Sequence, residues 1–359
     1  MRTRKHYIAA TGLVLVAALL LYFLLSAIYQ LPQASSDEAD TIDVMFDVYF
    51  GLIAFMFSLI MVFMIYAAFA FRRKPGDTTD AEHIHGNMRL EIVWTIIPII
   101  IVIALGVWGA QTLNALTKAE PNEVEITVTG QQWLWNFQYP EHDNISSGEL
   151  ALLVNQPVVF KMTSTDVIHS FWVPEFRVKQ DLVPGMETVL RITPTDVGEY
   201  TLACAEICGL NHTDMLADVK VMNQSDFDSW VEEHSQAPVF AELTPEERGE
   251  IWYGVQPGFG CTSCHTTDGV RGAGPTWLGL YGREEILDNG QTVIADDAYI
   301  RESILDPNAQ IVESFFANIM SNQDYEALFS AKQAEILANE GIEIDIIDDI
   351  IAYIKTLEE

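Results

Sequence analysis

Between Cys204 and Met215 the sequence reads CAEICGLNHTDM, which places two thiols, an imidazole and a thioether within one short segment. A disulfide between Cys204 and Cys208 would leave His212 and Met215 unexplained. Thiolate, thioether and imidazole donors together are what copper takes among biological metals, so the segment reads as a copper site. A mononuclear blue-copper centre needs one Cys, two His and a weak Met, and here there are two Cys. His169, in DVIHSFWVP, lies upstream. With it the donors become two thiolates, two imidazoles, a thioether and a backbone carbonyl from between the thiolates, enough to bridge and cap two copper ions.

The run Cys261-Thr-Ser-Cys264-His265 is the haem c attachment pattern, in which two thioethers hold the porphyrin and the adjacent histidine ligates iron. A redox dithiol or half of a zinc site is the plainer alternative, but no second cysteine pair follows. After His265 the sequence has no further histidine and a single methionine, Met320. Met320 is therefore the expected sixth ligand, unless the iron is five-coordinate or takes a lysine or an outside ligand. His and Met ligation raises the reduction potential and suits electron transfer.

Both sites need scaffolds. From residue 119 to 223 the pattern is one of short alternating runs rich in Val, Ile and Thr, such as EVEITVTG, GEYTLAC and LADVKVM, broken by Gly, Pro, Asn and Asp. This predicts an all-β sandwich or barrel. The copper-type segment falls between its last two strands, and His169 is expected at the end of another. Residues 224–243 are polar and acidic, with Pro238 breaking any long period, and read as a flexible linker with a root-mean-square span of about 25 Å. A second water-soluble domain, residues 244–359, opens with Thr244 as N-cap, Pro245 at the first helical position and Glu247 closing a capping box. It ends in an amphipathic helix, IEIDIIDDIIAYIKTLEE.

Apolar runs at Ile8 to Tyr29, Val48 to Phe71 and Ile92 to Leu113 are each near the ~20 residues that span a bilayer. The division is an N-terminal segment 1–35, either a signal sequence or an extra transmembrane helix, and a helical hairpin 36–118. Arg2, Arg4 and Lys5 precede the first run and Arg72, Arg73, Lys74 and Arg89 separate the second from the third, so both regions are cytoplasmic and the chain beyond is outside. The net charge of -32 comes from 19 Lys+Arg against 51 Asp+Glu, with 41 of the acids beyond residue 120. Nucleic acid is excluded as a partner, because its recognition rests on basic clusters. A basic protein partner fits better, with an acidic surface suited to a saline medium as the alternative.

Taken together, LEIVWTIIP, GQQWLWNFQYP, VIHSFWVP and CAEICGLNHTDM resemble subunit II of cytochrome c oxidase, with a cytochrome c domain fused at the C-terminus. The resemblance covers nearly the whole chain. It implies a multidomain membrane protein: transmembrane helices, a cupredoxin-like domain and an all-α class I cytochrome c domain. It further implies that Cys204 and Cys208 bridge the two coppers of a CuA centre, that His169 and His212 cap them, that Met215 is a weak axial ligand, and that the Glu206 carbonyl completes the site. By the same resemblance the Glu206 carboxylate holds magnesium at the interface with subunit I, Trp133 receives electrons from cytochrome c, and Glu91 stands at the mouth of a proton pathway. The plainer readings are an interior sheet tryptophan for Trp133 and an interfacial acid for Glu91.

The function expected is to pass electrons from haem c to CuA and on to subunit I, where oxygen is reduced to water with proton translocation across a prokaryotic plasma membrane. The apolar runs contain no histidines for an oxygen site, so that site belongs to a partner. The donor is expected to be a basic cytochrome, a copper protein or a respiratory complex. A tethered electron carrier without an oxidase has no need of Glu91 or Glu206. The input subunit of nitric oxide reductase shares the CuA module, and quinol oxidases resemble the fold but lose the copper ligands kept here.

Overall fold

The computed structural model describes residues 2–73, 75–76, 78–80, 83, 85–236, 238–255, 257–320 and 324–358. Lys74, used above for topology, lies outside the described residues. The chain forms two compact units, residues 1–119 with 175–177, and residues 120–174 with 178–359.

The first unit contains α1 (Arg2–Ile28), α2 (Asp37–Ala70) and α3 (Met88–Leu116). All three are long and apolar enough to cross a membrane. α2 starts well before the apolar run that announced it: Ser36 caps the amide of Ala39, and Asp37, Glu38 and Asp40 occupy the first turn. Acidic side chains there complement the helix dipole and let the helix begin in water before it turns apolar. Arg177 pairs with Asp43 at 2.7 Å within this unit.

The second unit opens with ten strands: β1 (Val124–Gln131), β2 (Leu134–Tyr139), β3 (Ile145–Ser147), β4 (Leu150–Leu153), β5 (Val158–Ser164), β6 (His169–Trp172), β7 (Lys179–Leu182), β8 (Thr188–Ile192), β9 (Gly198–Cys204) and β10 (Leu216–Met222). They make two five-stranded sheets, ordered β3-β2-β1-β5-β8 and β4-β10-β9-β6-β7. The alternation that marked the strands is the in-and-out pattern of a sandwich: β5 buries Val158, Phe160, Met162 and Ser164 and turns the residues between them outward. The expected all-β sandwich is therefore present.

The stretch 224–243 differs from expectation. It holds α4 (Gln224–Ser235), capped by the Asn223 side chain on the Asp226 amide. Phe227 and Trp230 on this helix are buried, Trp230 lies 5.0 Å from Tyr139, and its indole donates to Glu149 at 3.0 Å. Two aromatic anchors at i and i+3 thus fix most of the supposed linker to the β-sandwich.

Beyond it come α5 (Pro245–Tyr253), β11 (Glu284–Ile286), β12 (Thr292–Ile294), α6 (Asp297–Leu305), α7 (Tyr325–Glu340) and α8 (Ile346–Thr356). The Thr244–Glu247 capping box forms as its residues predict. α5 crosses α8 at Gly249, where an added Cβ would come within 2.1 Å of the Asp349 carbonyl oxygen. Arg248 pairs with buried Asp349 at 2.7 Å, and Trp252 donates to the same carboxylate at 3.3 Å. Trp252, Ile346, Ile350 and Ile354 form the centre of this second core.

Candidate functional site

His169 begins β6 rather than ending a strand, and Cys204 ends β9. The two strands pair with Phe171 opposite Cys204, so sheet register alone brings together residues far apart in sequence. The segment from Cys204 to Met215 closes on itself, because the Cys204 amide donates to the Met215 carbonyl at 3.1 Å. Inside this ring the donors converge. Cys204 Sγ lies 3.7 Å from Cys208 Sγ and 4.0 Å from His169 Nδ1. Cys208 Sγ lies 3.5 Å from His212 Nδ1 and 3.8 Å from Met215 Sδ, while the Glu206 carbonyl oxygen is 3.2 Å from Cys204 Sγ.

Two sulfurs 3.7 Å apart are not a disulfide, whose S–S bond is about 2.05 Å. The separation does fit two thiolates on one metal: bonds of about 2.3 Å in tetrahedral array put sulfurs roughly 3.8 Å apart. The donor set is soft and cysteine-rich, as copper prefers. His169, Cys204 and Cys208 form a buried cluster that suits a metal ion.

Residues outside the ligand set hold it in place. The Asp166 carboxylate lies 2.8 Å from His169 Nε2, which turns Nδ1 toward the sulfurs. Asp166 is in turn held by the amides of Gln132 at 2.7 Å and Val167 at 2.6 Å. Gln132 and Trp133 both donate to the Cys208 carbonyl, at 2.6 and 3.1 Å, and Trp135 donates to that of Met215 at 3.3 Å. Trp133 is only 5% exposed. Sequence reasoning missed Gln132, Trp135 and Asp166; an acid three residues before a candidate ligand histidine was the one local signal.

The side chains of the ring hold protons unequally. Burial pushes the Cys204 thiol up, but hydrogen bonds from His169 and nearby groups overcome this and bring it down to about 6. Burial and the neighbouring Cys204 charge push Cys208 up to about 12. For His169 burial alone would lower the value, and the Asp166 and Cys204 hydrogen bonds outweigh it and raise it to about 9.

The second group of candidates lies on the C-terminal core. Cys261 and Cys264 are free thiols on a short turn, Cys261–Ser263. His265 Nδ1 meets the Pro275 carbonyl at 2.8 Å. Burial, only partly offset by that bond, holds its pKa below the ordinary value. The ring is therefore neutral, with Nδ1 protonated and Nε2 free to bind a metal. A cavity lies beside Cys264 and His265, lined mostly by apolar side chains, and Met320 is on its wall. Thiols, imidazole, thioether and an apolar cavity together fit a covalently held haem.

The remaining candidates are dispersed. The Glu206 side chain is exposed, next to Ile207, which is 82% exposed. Glu91 lies in the first turn of α3, where its carboxylate accepts from the Asn87 amide at 3.2 Å, so it serves as part of the helix cap.

A family model described as cytochrome C oxidase subunit II, transmembrane domain, matches residues 24–111, and one described as its periplasmic domain matches residues 147–222. Cytochrome c oxidase subunit 2 of Synechocystis sp. is 30% identical over 255 residues, covering 58% of this chain and 76% of that protein. This chain belongs to the cytochrome c oxidase subunit II family. The subunit II of Alkalihalophilus pseudofirmus is 31% identical over 270 residues, covering 72% of this chain and 77% of that protein. Quinol oxidase subunit 2 of Bacillus subtilis is 32% identical over 209 residues, covering 56% of this chain and 64% of that protein. Membership makes the chain a subunit of a haem-copper oxidase, and the outer-side domain of subunit II is the β-sandwich that carries the sulfur cluster.

Proposed function

We propose that this subunit II receives electrons at a haem c in its C-terminal domain and delivers them through a binuclear CuA centre to subunit I, where oxygen is reduced to water and protons are translocated. The observation that carries the reading is the convergence of buried His169, Cys204, Cys208 and Met215 with half-buried His212 in one ring. Cys204, Cys208, His169 and His212 would hold the copper ions, with Met215 and the Glu206 carbonyl as further donors. The centre contributes a one-electron couple shared by two metals, and the protein keeps it dry and fixed through Trp133, Trp135 and Gln132.

In the C-terminal domain Cys261 and Cys264 would anchor the haem, and His265 through Nε2 and Met320 through sulfur would hold its iron. The Alkalihalophilus alignment supports continuity into this domain, since 72% of the chain is more than the residues that precede Thr244. The exposed Glu206 and Ile207 fit an interface with subunit I, with magnesium on the carboxylate. Trp133 lies between the copper loop and the incoming electron, and Glu91 stands at the cytoplasmic mouth of a proton pathway. A plasma membrane of a prokaryote is the setting, with both redox domains outside.

The test is metal and haem content in the purified complex. Two coppers per chain in the outer domain, one unpaired electron with hyperfine structure from both, and a haem that resists acid-acetone extraction are expected. A single blue copper indifferent to Cys204→Ser, or a haem that extracts, would refute the corresponding half.

A further inference from the structure

The haem-attachment turn and the copper ring belong to different cores, yet one side chain joins them. Asn211 is 8% exposed, immediately precedes His212, and donates through Nδ2 to the Ser263 carbonyl at 3.2 Å. Ser263 lies between Cys261 and Cys264. Nearby, Gly260 has φ +71, and a Cβ there would come within 2.5 Å of Leu134 Cδ2. Leu134 follows Gln132 and Trp133, the residues that donate to the Cys208 carbonyl. A cleft lined by Gln131, Gln132 and Asp166 on one side and by Cys261, Cys264 and Met320 on the other runs along the seam.

We propose that Asn211 is a positioning residue that locks the cysteine-bearing turn onto the copper ring in one register for electron transfer. The inference rests on the haem c reading above. The contact gives an uninterrupted route in this chain's own atoms: His212, its peptide bond to Asn211, the side-chain amide, one hydrogen bond to the Ser263 carbonyl, and the peptide bond to Cys264. Asn211 holds this route during a transfer in which the haem group loses one electron and the copper pair gains one, with no bond made and no proton moved. Because the bond is between neutral groups, it keeps the register at any ionic strength. The absence of a side chain at Gly260 leaves room for the Leu134 side chain to pack against the turn.

The test uses the complete oxidase with Asn211→Ala and Asn211→Leu, the second keeping volume while removing the donor. Loss of one buried hydrogen bond shifts the docked fraction by about fivefold to tenfold. Flash reduction should therefore show haem-to-copper transfer slowed by about that factor, while reduction of the haem by a small photoreductant and the copper hyperfine pattern stay as in the parent. Amide exchange in residues 260–265 should rise with it. An unchanged transfer rate with intact spectra overturns the proposal, whether or not exchange rises, and so does loss of the copper signal, which would place Asn211 in the service of the copper ring itself. A parent complex that lacks covalent haem instead refutes the haem reading, and is seen before any variant is made.

Discussion

At the scale of single residues, the sulfur ring holds protons that a metal must displace. With Cys208 near 12 and His169 near 9, both are protonated at neutral pH, while Cys204, near 6, is already a thiolate. Metal binding therefore releases two protons from the first two groups, and affinity rises with pH. Between about pH 6.5 and 8.5 the logarithm of the apparent affinity should climb by about two per pH unit, with the slope dropping toward one above pH 9 as His169 loses its proton unaided. Chelator competition at several pH values measures this; a flat profile would contradict the proton inventory. On the haem side, Met320→Ala should lower the reduction potential while leaving the thioether attachment intact. Redox titration with denaturing gels stained for haem separates the two effects, and an unchanged potential would assign the sixth position elsewhere. The ligands themselves were legible in the sequence because four lie in one short segment and Cys-X-X-Cys-His is local by nature. Asp166, Gln132 and Asn211 were not, since each acquires its meaning from a partner that only the fold brings near.

Among the elements, legibility followed length. The long strands β1, β5, β9 and β10 announce themselves by alternation, whereas β3, β4 and β7 are three or four residues each, too short for a period to register. α4 was misread because its apolar content is two aromatics amid charge, and those are what anchor it. The crossing of α5 and α8 illustrates two opposed effects at one position. Gly249→Ala would gain about 1 kcal/mol of helix propensity, yet its Cβ would meet a backbone oxygen at 2.1 Å, and overpacking of this kind costs about 1–3 kcal/mol or more. Sterics prevail, because the obstacle is another helix's main chain and cannot rotate away. The variant should lower the denaturation midpoint of the C-terminal core, with faster amide exchange along α8; a gain in stability would mean the helices slide apart at little cost.

For the molecule as a whole, charge determines which encounters are helped. The segment beyond residue 120 carries most of the 51 acidic residues, so a basic donor is drawn in by long-range attraction that salt screens over about 8–10 Å. Reduction of the haem by such a donor should slow as salt rises, whereas haem-to-copper transfer should depend on neither salt nor dilution; stopped-flow and flash kinetics on one preparation distinguish the two, and a transfer rate proportional to concentration would show the sites meeting between molecules. How far the C-terminal domain can travel is governed by α4. With the helix pinned to the sandwich through Phe227 and Trp230, and Phe240 buried against Trp252 in the C-terminal core, only four residues separate Ser235 from Phe240, a span of roughly 11 Å by chain scaling. A domain of this size has a radius of gyration near 13 Å, so the leash is shorter than the load it holds. On the proposed haem c reading, the C-terminal domain is thus no ferry that visits a distant donor and returns with an electron. It is a fixed landing stage, to which any donor must come.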